Sequence, residues 1–205
     1  MDTPVCSRPQ VAFVDGVRRA EALLYLDQVT AVAGVLAGIR VERVFLRAAE
    51  ISLPAQSGGW NWRSLLIPGD LNAELALQRA MRELEAEVAT ELAREGYTLV
   101  LDGPLQSALP RAVGYVKTQQ RSLLPPEQNS ALGNLNAGQR SSLFAWGSKH
   151  GCYVRLTKHS RHQHPYHGLV RLEAMGEAEQ CRAWLHEVAG WLPAFAGVAH
   201  IDPRA

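Results

Sequence analysis

Two segments of this chain repeat one pattern, an apolar run that ends in an Asp-Gly pair. The first is Val11-Ala-Phe-Val-Asp15-Gly16, and the second is Leu99-Val-Leu-Asp102-Gly103. Short apolar runs bounded by turn residues are typical of buried β-strands. A carboxylate is costly to desolvate, so an Asp at a strand end is usually exposed, hydrogen-bonded or bound to a cation. The pattern therefore predicts two strands that each deliver an acid to the edge of the core.

The two acids have two interpretations. If the strands are neighbours in one sheet, Asp15 and Asp102 bring four carboxylate oxygens together, which suits a hard cation of the Mg²⁺ or Mn²⁺ kind. The alternative is that each Asp-Gly pair only opens a turn. The residues alone leave both interpretations open.

Composition sets the class of protein. The chain has 205 residues, of which 47% are hydrophobic and 20% charged, which predicts one globular domain over residues 1–205. Cys6, Cys152 and Cys181 are widely spaced and form no CxxC pair, so neither a disulfide framework nor a zinc knuckle is indicated. The sequence has no long uncharged apolar run and no signal-peptide pattern. We expect a cytoplasmic protein without a membrane partner.

Charge is distributed unevenly along the chain. Residues 1–102 hold 10 Lys or Arg against 14 Asp or Glu, a net of −4, whereas residues 103–175 hold 9 against 2, a net of +7. A basic block beside an acidic block suits a polyanion that is both bound and cut. We therefore predict nucleic-acid contacts at Arg155, Lys158 and Arg161.

The hydrophobic pattern predicts an α/β order. We expect strands over 10–16, 20–29, 31–47, 97–102, 112–117, 152–158 and 167–174, helices over 71–95 and 177–192, a loop over 52–70, and a mobile loop over 118–140. Asp70 and Gly96 bound the first helix as N-cap and C-terminal glycine. Lys117 would end a strand near Asp102, where its cation could hold a phosphate. The predicted fold is one mixed sheet with flanking helices, in the layout of the ribonuclease-H-like nucleases.

Five segments resemble, in the same order, those of the NurA nucleases. They are Val11-Ala-Phe-Val-Asp-Gly-Val-Arg18-Arg, Leu99-Val-Leu-Asp-Gly-Pro-Leu105, Val113-Gly-Tyr-Val-Lys117, Tyr153-Val-Arg-Leu156 and His200-Ile-Asp-Pro-Arg-Ala205. The resemblance implies a ribonuclease-H-like fold and a Mn²⁺-dependent enzyme, with Mg²⁺ as the alternative ion. It also implies single-strand endonuclease and 5′→3′ exonuclease activity on DNA. The implied setting is DNA end resection in double-strand break repair, by a homodimer that docks on the hexameric HerA ATPase.

The resemblance also assigns metal ligands. Asp15 matches the first metal-binding Asp of the family, and Asp102 matches the later one. The helical Glu of the family falls on Glu83, with Glu85 as the alternative. In this assignment all three acids bind the metal and are catalytic.

The remaining assignments come from the end of the chain and from departures. Tyr153 matches the aromatic residue before the Arg-Leu pair and is expected to contact DNA. The late catalytic and metal-binding histidine matches His200 better than His167. Val17 stands where the family has Ser, and the chain stops where the family continues, which fits either a compact member or a truncated one.

Two other functions remain open from the sequence. The chain could be a non-catalytic module that binds DNA or HerA and keeps the fold without the chemistry. It could also be a ribonuclease-H-like enzyme that acts on RNA, since no residue in the sequence addresses recognition of the 2′-OH.

Overall fold

The structure is a computed structural model, and it describes residues 10–26, 29–43, 60–68, 73–117, 122–158 and 163–196. The chain forms two compact units, Met1–Val100 and Leu101–Ala205. The boundary lies within strand β4, Thr98–Asp102. In the described part of the chain, no helix is long and apolar enough to cross a membrane.

The N-terminal unit contains an antiparallel meander. Its strands are β1 (Val11–Leu26), β2 (Val29–Arg43) and β3 (Trp60–Pro68), and their order continues to the start of β4 as β3-β2-β1-β4. The Thr98 amide donates to the Gln10 carbonyl oxygen at 2.8 Å where β4 begins. The meander predicted for this part of the chain is confirmed.

Two predicted boundaries in this unit are wrong. The strands expected over 10–16 and 20–29 are one strand, because the Asp15-Gly16 pair stays in the ladder with β2 instead of turning. The loop expected over 52–70 contains β3, because its glycines and prolines bound a run of strand-favouring residues, Trp60–Ile67, rather than interrupt it.

Helix α1, Ala73–Arg94, covers this meander and contacts all three of its strands. Its buried residues recur mostly at three- and four-residue steps and are Leu77, Leu84, Val88, Ala89 and Leu92. The helix ends at Gly96, whose φ is +86°. The Tyr97 amide donates to the Leu92 carbonyl and the Gly96 amide to the Ala93 carbonyl, both at 3.1 Å, which is the Schellman pattern. The predicted helix and its glycine stop are confirmed.

The C-terminal unit is built on an antiparallel sheet. Its strands are β5 (Ala112–Val116), β6 (Phe144–Trp146), β7 (Lys149–Arg155) and β8 (Leu169–Met175), in the order β5-β8-β7-β6. The end of β4 lies beside β5, where the Gly103 amide donates to the Tyr115 carbonyl at 2.8 Å. Helix α3, Ala178–Trp191, packs on β5, β7 and β8. The predicted pairing of two late strands and the terminal helix are confirmed.

The prediction of a mobile loop over 118–140 is wrong for part of that segment. Pro126–Ala131 forms helix α2, and Leu132–Asn134 continues as a 3₁₀ turn. Although the segment is mostly polar, Leu132 is buried and packs with Tyr153 and Leu169 in the core. Burial of that side chain stabilises the helical turns against the sheet.

Candidate functional site

The first predicted acid, Asp15, lies inside β1 and is exposed. In the antiparallel ladder Asp15 stands opposite Ile39, and Gly16 stands opposite Gly38. Directly opposed residues point to the same face of a sheet, so this glycine pair leaves that face without side chains at this point. Successive residues point to opposite faces, so the Asp15 carboxylate leaves β1 on the other side from the glycine pair.

The space above Gly16 is filled by Glu85 of α1. A Cβ placed on Gly16 would lie 2.4 Å from Oε1 and 2.7 Å from Cδ of Glu85, so any larger residue at this position would force the carboxyl group to move. Arg18, two residues further on the same face, donates from Nε to Oε1 of Gln78 at 2.6 Å. Gln78 and Glu85 are seven residues apart, which is about two helical turns. These two contacts fix which face of α1 meets β1.

The face of α1 that meets β1 favours Glu85 over Glu83 as the helical acid. Glu85 is half-buried against the Asp15-Gly16 segment, whereas Glu83 is exposed. The alternative that the sequence left open is therefore the better placed residue, and the first choice, Glu83, is not at the strand. The role of either as a metal ligand stays a prediction.

The second predicted acid, Asp102, ends β4, and Gly103 turns the chain with a φ of +87°. Nζ of Lys117 lies 3.4 Å from Oδ1 of Asp102, and the two side chains are 35% and 43% exposed. Nζ of Lys117 also lies 5.6 Å from the centre of the Tyr115 ring. The prediction that Lys117 stands beside Asp102 is confirmed, and both groups remain accessible to solvent and to a phosphate.

Tyr153 and Arg155 were predicted to contact DNA, and their burial contradicts this. Both are fully buried in β7, and burial raises the pKa of the Tyr153 hydroxyl. Within the described residues, the Arg155 guanidinium donates to backbone carbonyls of two neighbouring segments, those of Leu132, Gly133, Leu135, Pro165 and His167. Every residue from Gly151 to Arg155 is buried, so both faces of β7 are covered, and a count of charges along the sequence could not show this.

The other predicted contacts have different outcomes. Lys158 is exposed, as a DNA contact requires. Arg161 and His200 lie outside the described residues, so their roles stay predictions. The alternative histidine, His167, is half-buried, with Nε2 lying 3.1 Å from Nε2 of Gln163.

The metal prediction was tested against the donor groups present. Asp15, Glu85 and Asp102 supply carboxylate oxygens, the ligands that Mn²⁺ and Mg²⁺ prefer, and Asp15 and Asp102 are exposed. Among the residues that the structure describes, no group of three or more His, Cys, Asp or Glu is gathered for a metal ion. The chemistry of the donors fits the ion. Glu85, however, meets β1 on the face opposite the Asp15 side chain, so the assembled site stays a prediction.

A buried carboxylate in the C-terminal unit was missed by the sequence argument. Glu173 of β8 is 1% exposed, and its oxygens contact Nζ of Lys149 at 2.6 Å and Nη2 of Arg171 at 3.4 Å. A signal was available, since Glu173 stands in an otherwise apolar strand that carries a basic residue two positions earlier.

Comparison with known proteins bears on the fold. No protein-family model and no curated protein matches the sequence. The structure is similar to the crystal structure of the NurA nuclease from Sulfolobus solfataricus, with a TM-score of 0.58 and 10% sequence identity over 91% of this chain and 74% of that chain. The predicted α/β fold class, a mixed sheet with flanking helices, is thereby confirmed.

Proposed function

We propose that the protein is a metal-dependent DNA nuclease of the NurA kind, with single-strand endonuclease and 5′→3′ exonuclease activity. The observation that carries the proposal is the similarity of the fold to a NurA nuclease, in a chain with an exposed Asp15 on its first strand and Glu85 on the helix that packs on that strand. An acid on the first strand and an acid on the helix across it are what the resemblance to these nucleases requires. The further setting, a cytoplasmic homodimer working with a HerA-type ATPase in DNA end resection, belongs to the same proposal.

The proposed metal is Mn²⁺, with Mg²⁺ as the alternative. Asp15, Glu85 and Asp102 would hold it, together with His200 or His167. When bound, such an ion lowers the pKa of an attacking water and stabilises negative charge on the scissile phosphate. The contribution of this chain would be to place the carboxylates of Asp15 and Asp102 within reach of solvent.

Phosphate binding is proposed for the exposed cations. Lys117 stands 3.4 Å from Asp102, so a phosphate near that acid would meet an ammonium group without any change of fold. Lys158 is exposed, and Arg161 belongs to the same basic block. Arg155 leaves this set because its donors are used by backbone carbonyls.

The test is cleavage of end-labelled single-stranded DNA, duplex DNA and RNA in Mn²⁺, Mg²⁺ or EDTA. We expect DNA cleavage that requires metal and is abolished in Asp15→Ala and Asp102→Ala. Glu85→Gln should lose activity, while Glu83→Gln, a matched exposed acid on the same helix, should retain it. Full activity of Asp15→Ala with metal still required would remove the central claim.

A second candidate is a non-catalytic module that binds DNA or HerA. The ion pair between Lys117 and Asp102 favours it, because a carboxylate engaged by an ammonium group must exchange that partner to bind a metal. DNA binding without cleavage in any metal, together with unchanged binding by Asp102→Asn, would support this candidate.

A further inference from the structure

The turn after Asp102 is held by an ion pair from two other strands. The Leu105 amide donates to Oε1 of Glu173 at 2.8 Å, and Nζ of Lys149 donates to the Leu105 carbonyl oxygen at 2.7 Å. Lys149 and Glu173 contact each other through the same Oε1 at 2.6 Å. Both polar groups of the Leu105 backbone are thus bonded to one ion pair.

Glycines make the room for this arrangement. Glu173 pairs with Gly114 on β5 and with Gly151 on β7, so no side chain stands beside it on either neighbouring strand. A Cβ on Gly114 would lie 2.8 Å from the Gly103 carbonyl oxygen and 3.1 Å from both Cγ of Leu105 and Cγ of Glu173. The turn therefore lies directly on the sheet and fits only over glycine.

The cost of burial indicates what the ion pair does. A surface turn needs no buried charge, and a buried carboxylate destabilises a fold unless cations and hydrogen-bond donors satisfy it. Glu173 receives two cations and one backbone amide, and that amide belongs to the third residue after Asp102. The Gly103 amide, bonded to the Tyr115 carbonyl, holds the turn at its other end.

We infer that Glu173 and Lys149 are positioning residues that fix the Asp102 carboxylate through the Gly103–Leu105 turn. The role of Asp102 as a metal ligand rests on the proposed function. The fixing of the turn rests on the bonds of Leu105 to Lys149 and Glu173. Removal of a residue that orients a metal ligand typically lowers metal affinity or activity by roughly 10- to 100-fold.

The test uses the full chain and the variants Lys149→Met and Lys149→Arg. Lys149→Met removes both donations, whereas Lys149→Arg keeps a cation that can reach Glu173. Glu187→Gln serves as the matched control, since it removes an exposed ion pair, with Arg111 at 3.5 Å, in the same unit. Three measurements are made: amide hydrogen exchange over residues 101–107, affinity for Mn²⁺ alone by electron paramagnetic resonance, and DNA cleavage.

We expect Lys149→Met to exchange faster in the turn, to bind Mn²⁺ roughly 10- to 100-fold more weakly and to cleave more slowly by a similar factor. Lys149→Arg should recover all three, and Glu187→Gln should match the wild type. If Lys149→Met does not fold, Lys149→Gln, which keeps an uncharged donor, replaces it.

Two results would overturn the inference. Wild-type exchange over 101–107 in Lys149→Met would show that the ion pair does not hold the turn. Faster exchange with unchanged Mn²⁺ affinity and cleavage would show that the turn does not position Asp102. A wild type that neither binds Mn²⁺ nor cleaves DNA refutes the proposed function and the use of Asp102, and exchange still decides whether the pair fixes the turn.

Discussion

Replacement of Arg155 by Met should destabilise the C-terminal unit strongly. The side chain is fully buried, and its guanidinium supplies the donors for carbonyls of two segments, 132–135 and 165–167. The distances are 3.2 Å to Leu135, 3.1 Å to Leu132 and 2.6 Å to Pro165, with further donations to Gly133 and His167. Met fills a similar volume and donates nothing, so the change isolates the hydrogen bonds.

The expected loss can be worked from these contacts. A buried carbonyl left without a donor costs about 1–3 kcal/mol. The carbonyl of half-buried Gly133 can recover a hydrogen bond from water. The carbonyl of buried Leu132 has less access to solvent. The Leu132 carbonyl left dry therefore costs about 1–3 kcal/mol, and each of the four lost bonds to more accessible carbonyls costs about 0.5–1.5 kcal/mol. The sum is offset in part because a buried cation no longer has to be desolvated. We expect a net loss of about 3–4 kcal/mol, a large share of the roughly 5–15 kcal/mol that stabilises a typical domain.

The assay is urea unfolding followed by far-ultraviolet circular dichroism and tryptophan fluorescence, with the slope of the transition compared between variants. Lys158→Met is the control, since removal of an exposed cation should change the unfolding free energy by no more than about 0.5 kcal/mol. The unfolding free energy of Arg155→Lys should fall between those of Arg155→Met and the wild type, because one ammonium nitrogen cannot reach the carbonyls of both segments. A loss of unfolding free energy below about 1 kcal/mol in Arg155→Met would show that the bonds from the guanidinium to these carbonyls do not stabilise the unit.

Three further predictions concern the site, the DNA and the core. Gly16→Ala should displace the Glu85 carboxyl group, since the new methyl would lie 2.4 Å from Oε1, and cleavage should then fall as in Glu85→Gln while thermal stability changes little. Normal cleavage would show that this position is not used. The logarithm of the affinity for single-stranded DNA should fall linearly with the logarithm of the salt concentration, by roughly 0.7 for each phosphate contacted. The double variant Lys158→Met with Arg161→Met should flatten that slope. An unchanged slope would show that the DNA binds elsewhere. Burial raises the pKa of the Cys152 thiol to about 12. Because the unfolded thiol ionises near its ordinary pKa of 9.0, the unfolding free energy should fall by about 1.4 kcal/mol per pH unit between those values, and Cys152→Ala should lack this component in matched pH titrations.

The helices were predictable because their signals are local. In α1 the apolar residues recur at three- and four-residue steps, and Gly96 supplies the left-handed residue that closes the helix. In α3 the same periodicity places Val188 in the core, whereas Ala183 is exposed. A short side chain carries little hydrophobic signal, so its side of the helix is poorly determined.

The strand boundaries were less predictable because they depend on partners far along the chain. Asp15-Gly16 has the composition of a turn, yet it continues as strand where Gly38 pairs with Gly16. The two glycines are 22 positions apart, and no window around either one shows that the other stands opposite. Pairing between strands overrode the local propensity of the Asp-Gly pair.

The candidate site was predictable in residue type and not in geometry. The acids of α1 include Glu83, Glu85, Glu87 and Glu91, and spacing alone does not select among them. The choice depends on which residue faces a glycine on β1, which is a contact between elements. Arg155 shows the same limit, since charge counted along the chain treats every cation as exposed.

Exposure separates the acids into two roles. Glu173 is buried, with Lys149 and Arg171 on its two oxygens, so it could bind a further cation only by displacing groups that hold the sheet and the turn together. Asp102, three residues before the amide that Glu173 accepts, is 43% exposed and has an exchangeable partner in Lys117. A carboxylate committed to the protein thus supports one that remains available to solvent. On the proposed function, that division would keep the turn in place while Asp102 exchanges Lys117 for a metal cation.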